Sequence, residues 1–270
     1  MTKGQPEHGA ILVAVLLVLT LLAGIAAALV HSGRTGVSTL KAEDALLKRE
    51  TALRSSLAAL GPALSGPHET VRRDGQAFAL MRLDDITVTA EVQAVSGLIN
   101  VNTAPVVLLE GLLRAAALDD QTVYETAGAI DAARRKRPFH EPDELAQFFS
   151  NTPALWQQLR PILTVLGRAD TLDPDTAPRL ALLAVPGMTT EAADALIASR
   201  ATPAWDTVGR SEAALLYRPF LDGLETQTYV FRLRVGTDRL AQNGVGMLGK
   251  DAQFYLIGLD WPSAEEDIAP

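Results

Sequence analysis

Cysteine is absent from all 270 residues, which excludes disulfides, thiolate nucleophiles and cysteine-ligated zinc. Histidine is scarce: His8, His31, His68 and His140 share no metal-ligand spacing, so the sequence offers no histidine metal site. A basic excess is lacking too. Lys and Arg number 24 against 32 Asp and Glu, a formal charge of -8, whereas duplex binding needs clustered cations to displace counterions. Ser65, Ser96, Ser199 and Ser211 lack a nucleophile elbow, and no glycine-rich phosphate loop follows a strand. The paired acids Asp143-Glu144 suit a helix start, where negative charge is favoured. These absences predict a protein that is not an enzyme.

What is present is unevenly spread. Ala10–Val30 carries no charged residue, and about 20 apolar residues at ~1.5 Å each span the ~30 Å of a bilayer core. The run predicts a transmembrane helix over 10–30, with Thr20 and Gly24 tolerable inside it. Lys3 and Glu7 offset each other on one flank, so charge does not set the orientation. A cleaved secretory signal is the alternative, with Ala26 and Ala28 as a small-x-small pair; its apolar region normally runs about 7–15 residues, shorter than this one. Beyond the run, Leu40, Leu47, Leu53, Leu57 and Leu60 recur among Lys41, Glu43, Asp44, Lys48, Arg49 and Glu50, an amphipathic stripe. One long helix is therefore expected, apolar over 10–30 and one-sided over 31–62, ended by Gly61-Pro62. Leu40, Leu47, Leu53 and Leu57 form the seam expected to meet partner helices.

Gln76–Leu83 and Ile86–Val95 alternate apolar and polar residues around Asp84-Asp85, the pattern of a hairpin. Gln227–Val235 and Gln253–Leu259 repeat that character, with a glycine-rich link, Gln242–Gly249, expected between them. The fold class is α+β: a long N-terminal helix packed on an antiparallel sheet (63–97 and 226–270), with a large all-helical insertion (98–225) between strands. The insertion holds a faint repeat. Asn100-Val101-Asn102-Thr103-Ala104-Pro105 is answered by Asp173-Pro174-Asp175-Thr176-Ala177-Pro178. Leucine-rich segments follow (Val106–Leu113, Leu180–Val185), then alanine-rich helices ending in arginine (Ala127–Arg134, Ala192–Arg200), then an aromatic, Phe139 or Trp205. Asn, Asp and Thr are expected to cap helix amides, with Pro in the first turn.

A nine-residue leader ending in Gly9, directly before the apolar block, resembles the prepilin-type signal. Together with Gly97–Pro105 (GLINVNTAP) and Phe139–Phe149 (FHEPDELAQFF), the chain resembles the minor pseudopilin K family of type II secretion systems. The resemblance implies a pilin-like fold, cleavage by a prepilin peptidase between Gly9 and Ala10, and an inner-membrane helix. The body would lie in the periplasm of a Gram-negative bacterium, in a filament-tip complex with pseudopilins I and J and below it other pseudopilins. It departs from most pilins at the fifth mature position, Ala14, where a glutamate is usual; within the family that absence typifies the tip subunit. Calcium is the one cofactor the resemblance implies. Asp119, Asp120, Asp170, Asp173 and Asp175 are scattered or serve as caps, so no calcium ligand is assigned.

A rival comes from the same residues. The NTAP-leucine pattern with Val185-Pro186-Gly187-Met188-Thr189 also resembles helix-hairpin-helix modules, which implies a membrane-anchored DNA-uptake receptor. From Leu98 to Glu225 there are 11 Lys and Arg against 17 Asp and Glu, a balance of -6 that repels phosphate. The run Arg134-Arg135-Lys136-Arg137 reads as a solvated helix end. The expectation is a subunit that binds no nucleic acid.

Overall fold

The computed structural model describes residues 7–65, 73–84, 86–200, 212, 215–222, 227–236 and 241–260. Side chains within the long helix are described for 12–26 and 43–65. The chain divides into two units, 1–51 and 52–270.

Helix α1 runs Glu7–Ser65. In the first unit its leucines and valines from Leu12 to Ile25 are exposed, as are Leu46 (62%) and Leu47 (63%). Asp44 and Lys48 pair at 2.8 Å one turn apart. Among the described residues no helix is long and apolar enough to cross a membrane. The expected transmembrane helix is thus not supported by them. The side chains described in the apolar run stop at Ala26, leaving fewer than the ~20 residues a span requires.

In the second unit the end of α1 buries Ala52, Ser56, Leu60 and Leu64, the i, i+4 spacing of one helical face. The helix does not end at Gly61-Pro62 but continues through Pro62 to Ser65. Gly61 serves packing rather than termination: a Cβ there would lie 2.2 Å from the Ala252 carbonyl oxygen.

That face covers a five-stranded antiparallel sheet ordered β1-β2-β5-β6-β7. The hairpin β1 (Asp74–Leu83) and β2 (Ile86–Ala94) turns where the sequence places it, Leu83 opposite Ile86 and Asp84 at φ 53. After the insertion come β5 (Thr228–Val235), β6 (Ala241–Leu248) and β7 (Phe254–Asp260). Period-two alternation puts Val88, Ala90, Val92 and Ala94 opposite Val235, Leu233, Phe231 and Tyr229, all buried. The glycine-rich link expected at Gln242–Gly249 is instead strand β6. Glycine is needed there because a Cβ on Gly246 would lie 2.2 Å from the Phe254 ring, which meets Phe231 edge-on at 5.6 Å. The residues that weaken strand propensity create the slot for a core aromatic.

A short 3-10 turn (Val95–Gly97) leads from β2 into the insertion. There follow β3 (Ile99–Asn100), α2 (Val106–Ala115), α3 (Asp120–Lys136), a 3-10 segment (Pro142–Phe149), α4 (Pro153–Leu159), β4 (Leu163–Thr164), α5 (Arg179–Leu183) and α6 (Thr190–Ser199). The insertion is therefore not all-helical: β3 and β4 form a two-residue parallel ladder among the helices. Leu108, Leu112, Val123, Leu145, Leu182 and Ala193 belong to one apolar core, separate from the core between α1 and the sheet.

Candidate functional site

The repeated sextets are the most constrained part of the insertion, and they are not helix caps. The N-cap positions of α2 and α5 are Pro105 and Pro178, neither with a side-chain cap bond. The Asn and Asp side chains instead fold the turn before the helix. Asn100 Oδ1 accepts from the Asn102 N–H, and Asp173 Oδ1 from the Asp175 N–H, each at 3.0 Å. The carbonyls of Asn100 and Asp173 accept from the N–H groups three and four residues on. Both are Asx turns, which a short polar side chain makes by imitating backbone.

Each turn is then gripped by the arginine at the end of the second helix of its copy. Arg134 donates to the carbonyls of Val101 (3.0 Å) and Ala104 (2.7 Å). Arg200 donates to those of Pro174 and Ala177, both at 2.8 Å. The acceptors are the second and fifth residues of each sextet, so the copies correspond in their acceptors. Arg134 reaches both carbonyls through Nη1 alone, whereas Arg200 uses Nε and Nη2. Each copy is also a helix, a hairpin and a helix. The hairpins turn through Ala117 (φ 65) and Gly187 (φ 81), and Asp119 and Thr189 cap the following helices by accepting from Thr122 and Ala192. The copies meet where Gly111 of α2 crosses α5; a Cβ would fall 1.9 Å from the Ala184 carbonyl oxygen. In the first copy Asn102 also exchanges two hydrogen bonds of 2.9 Å with the backbone of Phe139. Trp205, its expected counterpart, lies outside the described residues.

Three of the four cations in the basic run share two carboxylates. Arg134 and Arg135 reach Asp131, each at 2.7 Å, and Arg137 pairs with Glu144. The Arg134 hydrogen bond is the main reason the Asp131 carboxyl is held below its usual range, with the charges of Arg134 and Arg135 assisting. Glu144 is lowered chiefly by accepting the His140 N–H, then that of Glu141, at the start of the 3-10 segment. Asp143 is lowered by Arg160, which grips it through two nitrogens at 2.6 and 2.9 Å. The pair Asp143-Glu144 singled out in the sequence is thus occupied in structure.

Calcium fits poorly. Asp119 caps α3, Asp120 pairs with Arg114 at 3.0 Å, and Asp173 accepts from Ser96 and Thr176. Among the described residues no group of three His, Asp or Glu side chains could hold a metal ion. The serines fare likewise: Ser65 and Ser199 donate to the carbonyls of Gly61 and Leu196, Ser96 donates to Asp173, and Ser211 lies outside the described residues.

The expected partner seam divides. Leu53 and Leu57 are half-buried against the protein's own sheet core, while Leu47 is exposed beside the equally exposed Leu46. The side chain of Leu40 lies outside those described, as do those of Gly9 and Ala10, which are helical in α1; Ala14 is exposed.

Neither a protein-family model nor a curated protein matches the chain. Among solved structures it is similar to a chain of the GspK-GspI-GspJ complex from the type 2 secretion system of enterotoxigenic Escherichia coli. The two share 15% identity at a TM-score of 0.51, over 84% of this chain and 98% of that one. The fold is pseudopilin-like. Within this pseudopilin-like frame the paired turns are half-legible from sequence: the sextets stand out, but the arginines that grip them read only as helix ends. The signal that could have found them is the recurrence of arginine at the close of both second helices.

Proposed function

We propose that the protein is a non-enzymatic minor pseudopilin of the K type, at the tip of a type II secretion pseudopilus. The observation that carries this reading is a pseudopilin-like fold over 84% of the chain, with the insertion placed between β2 and β5 of the sheet. The uncharged run Ala10–Val30 supports an inner-membrane anchor with the body in the periplasm, and Gly9 supports removal of the leader by a prepilin peptidase. Ala14 supports the terminal position. A carboxylate there would be costly in lipid unless a neighbour paired with it, and a subunit with nothing above it has no such neighbour. Pseudopilins I and J are the partners, by analogy with the GspK-GspI-GspJ complex. The paired Arg134, Arg135 and Arg137 favour this reading over a DNA receptor.

The test is mass spectrometry of the mature N-terminus in cells with and without the prepilin peptidase. A chain starting at Ala10 only when the peptidase is present supports the proposal. A start near residue 29, or an unprocessed N-terminus in both strains, refutes it.

A further inference from the structure

Two hydrophobic cores, one under the insertion and one under the sheet, meet across a joint that is polar. Asp173, only 4% exposed, opens the second sextet. Its Oδ2 accepts from the Ser96 hydroxyl at 3.1 Å and the Thr176 hydroxyl at 3.2 Å, and its N–H donates to the Ser96 carbonyl at 2.9 Å. Gln93, on β2, donates through Nε2 to the Thr176 carbonyl at 2.9 Å. Gly97 lies so close to the same segment that a Cβ would be 2.5 Å from the Thr176 carbonyl. These bonds join β2 and the turn after it to the second copy of the repeat, the copy more distant along the chain.

We infer that Asp173, with Ser96, Gln93 and Thr176, is a joint that fixes the helical insertion at one orientation on the sheet. Apolar contact is non-directional and lets surfaces slide at small cost. Hydrogen bonds lose strength steeply as they bend, and a carboxylate that loses its donors while still buried is left with an uncompensated desolvation cost. The chain crosses between sheet and insertion at Gly97 and again before β5, and the bonds of Asp173 to Ser96 and of Gln93 to Thr176 add directional restraints to those two covalent crossings. The joint thereby sets which surface of the insertion is presented to whatever binds it. It does so whether or not the chain is a pseudopilin.

The absence of cysteine makes the test direct. Ala77 on β1 and Ala129 on α3 are both exposed, and Ala77→Cys with Ala129→Cys places one spin label on each body of the full chain. Pulsed electron-paramagnetic-resonance distances should give one narrow distribution in the parent. Asp173→Ala should broaden it at least twofold with helical circular dichroism retained, and Gly97→Ala should shift its mean. If Asp173→Ala loses helical signal, the deciding variant is Ser96→Ala combined with Gln93→Ala, which removes bonds only at the joint; broadening there supports the inference. A distribution as narrow as the parent's in a folded Asp173→Ala protein, or in the double variant, overturns it.

Discussion

Removing the Arg134 guanidinium should be among the most damaging single changes available in the insertion. Arg134→Ala deletes two charge-assisted hydrogen bonds, to Val101 and Ala104, along with the pair to Asp131, and leaves both carbonyls without that donor in a half-buried turn. Bonds to a charged group contribute about 1.5–3 kcal/mol each. With water replacing part of that, the loss comes to about 3 kcal/mol. At a urea slope of about 3 kcal/mol/M, the unfolding midpoint should fall by about 1 M. Arg200→Ala, which loses two bonds of 2.8 Å to the matching carbonyls, should fall by a comparable amount, less what the Asp131 pair adds at Arg134. Arg134→Lys should recover only part of the loss, because a single ammonium cannot serve the two carbonyls and also keep the Nε and Nη2 contacts to Asp131. The assay is urea unfolding of the full chain in mild detergent, followed by helical circular dichroism. Midpoints within about 0.3 M of the parent for both alanine variants would refute the reasoning. A large effect at one site only would refute the correspondence of the copies.

Two glycines in the insertion should respond with opposite signs. Gly128, in α3 with open space around it, should gain about 0.5–1 kcal/mol on changing to Ala, whereas Gly111→Ala should lose about 1–3 kcal/mol by pushing α5 away; thermal midpoints read both. Asp131 titrates below its usual range in the folded state, so its contribution is complete above the unfolded carboxyl value of about 3.9. It is lost as pH falls through the lower folded value, and Asp131→Asn should flatten that acid limb in a melting-temperature profile. Leu47→Asp changes an exposed residue and should leave the melting temperature within about 2 °C of the parent. On the proposed function it should nonetheless abolish co-purification with pseudopilins I and J, and an intact complex would remove Leu47 from the seam.

The order of elements is readable because the sequence periods are clean. Strands β2 and β5 alternate residue by residue, and the Asp84 turn separates two such runs. The errors fall where glycine or proline does something other than break structure. Gly246 reads as linker until Phe254, eight residues later, is seen to need its space, and Gly61 reads as a stop until Ala252 is found against it. Local signals cannot carry such contacts. The leucine stripe is likewise ambiguous when read locally: Leu53 and Leu57 are half-buried against the protein's own sheet, while Leu46 and Leu47 are exposed.

The arginine grips also impose a timetable on synthesis. The turn at Asn100 is completed by Arg134 and by the carbonyls of Leu166 and Gly167, and the turn at Asp173 by Arg200. These intervals do not overlap. As the polypeptide emerges, every hydrogen-bond partner of the first turn has been made before Asp173 appears, although the apolar core that the copies share is completed only by the second. The nascent insertion can close one turn and then the other, neither copy competing for the other's arginine.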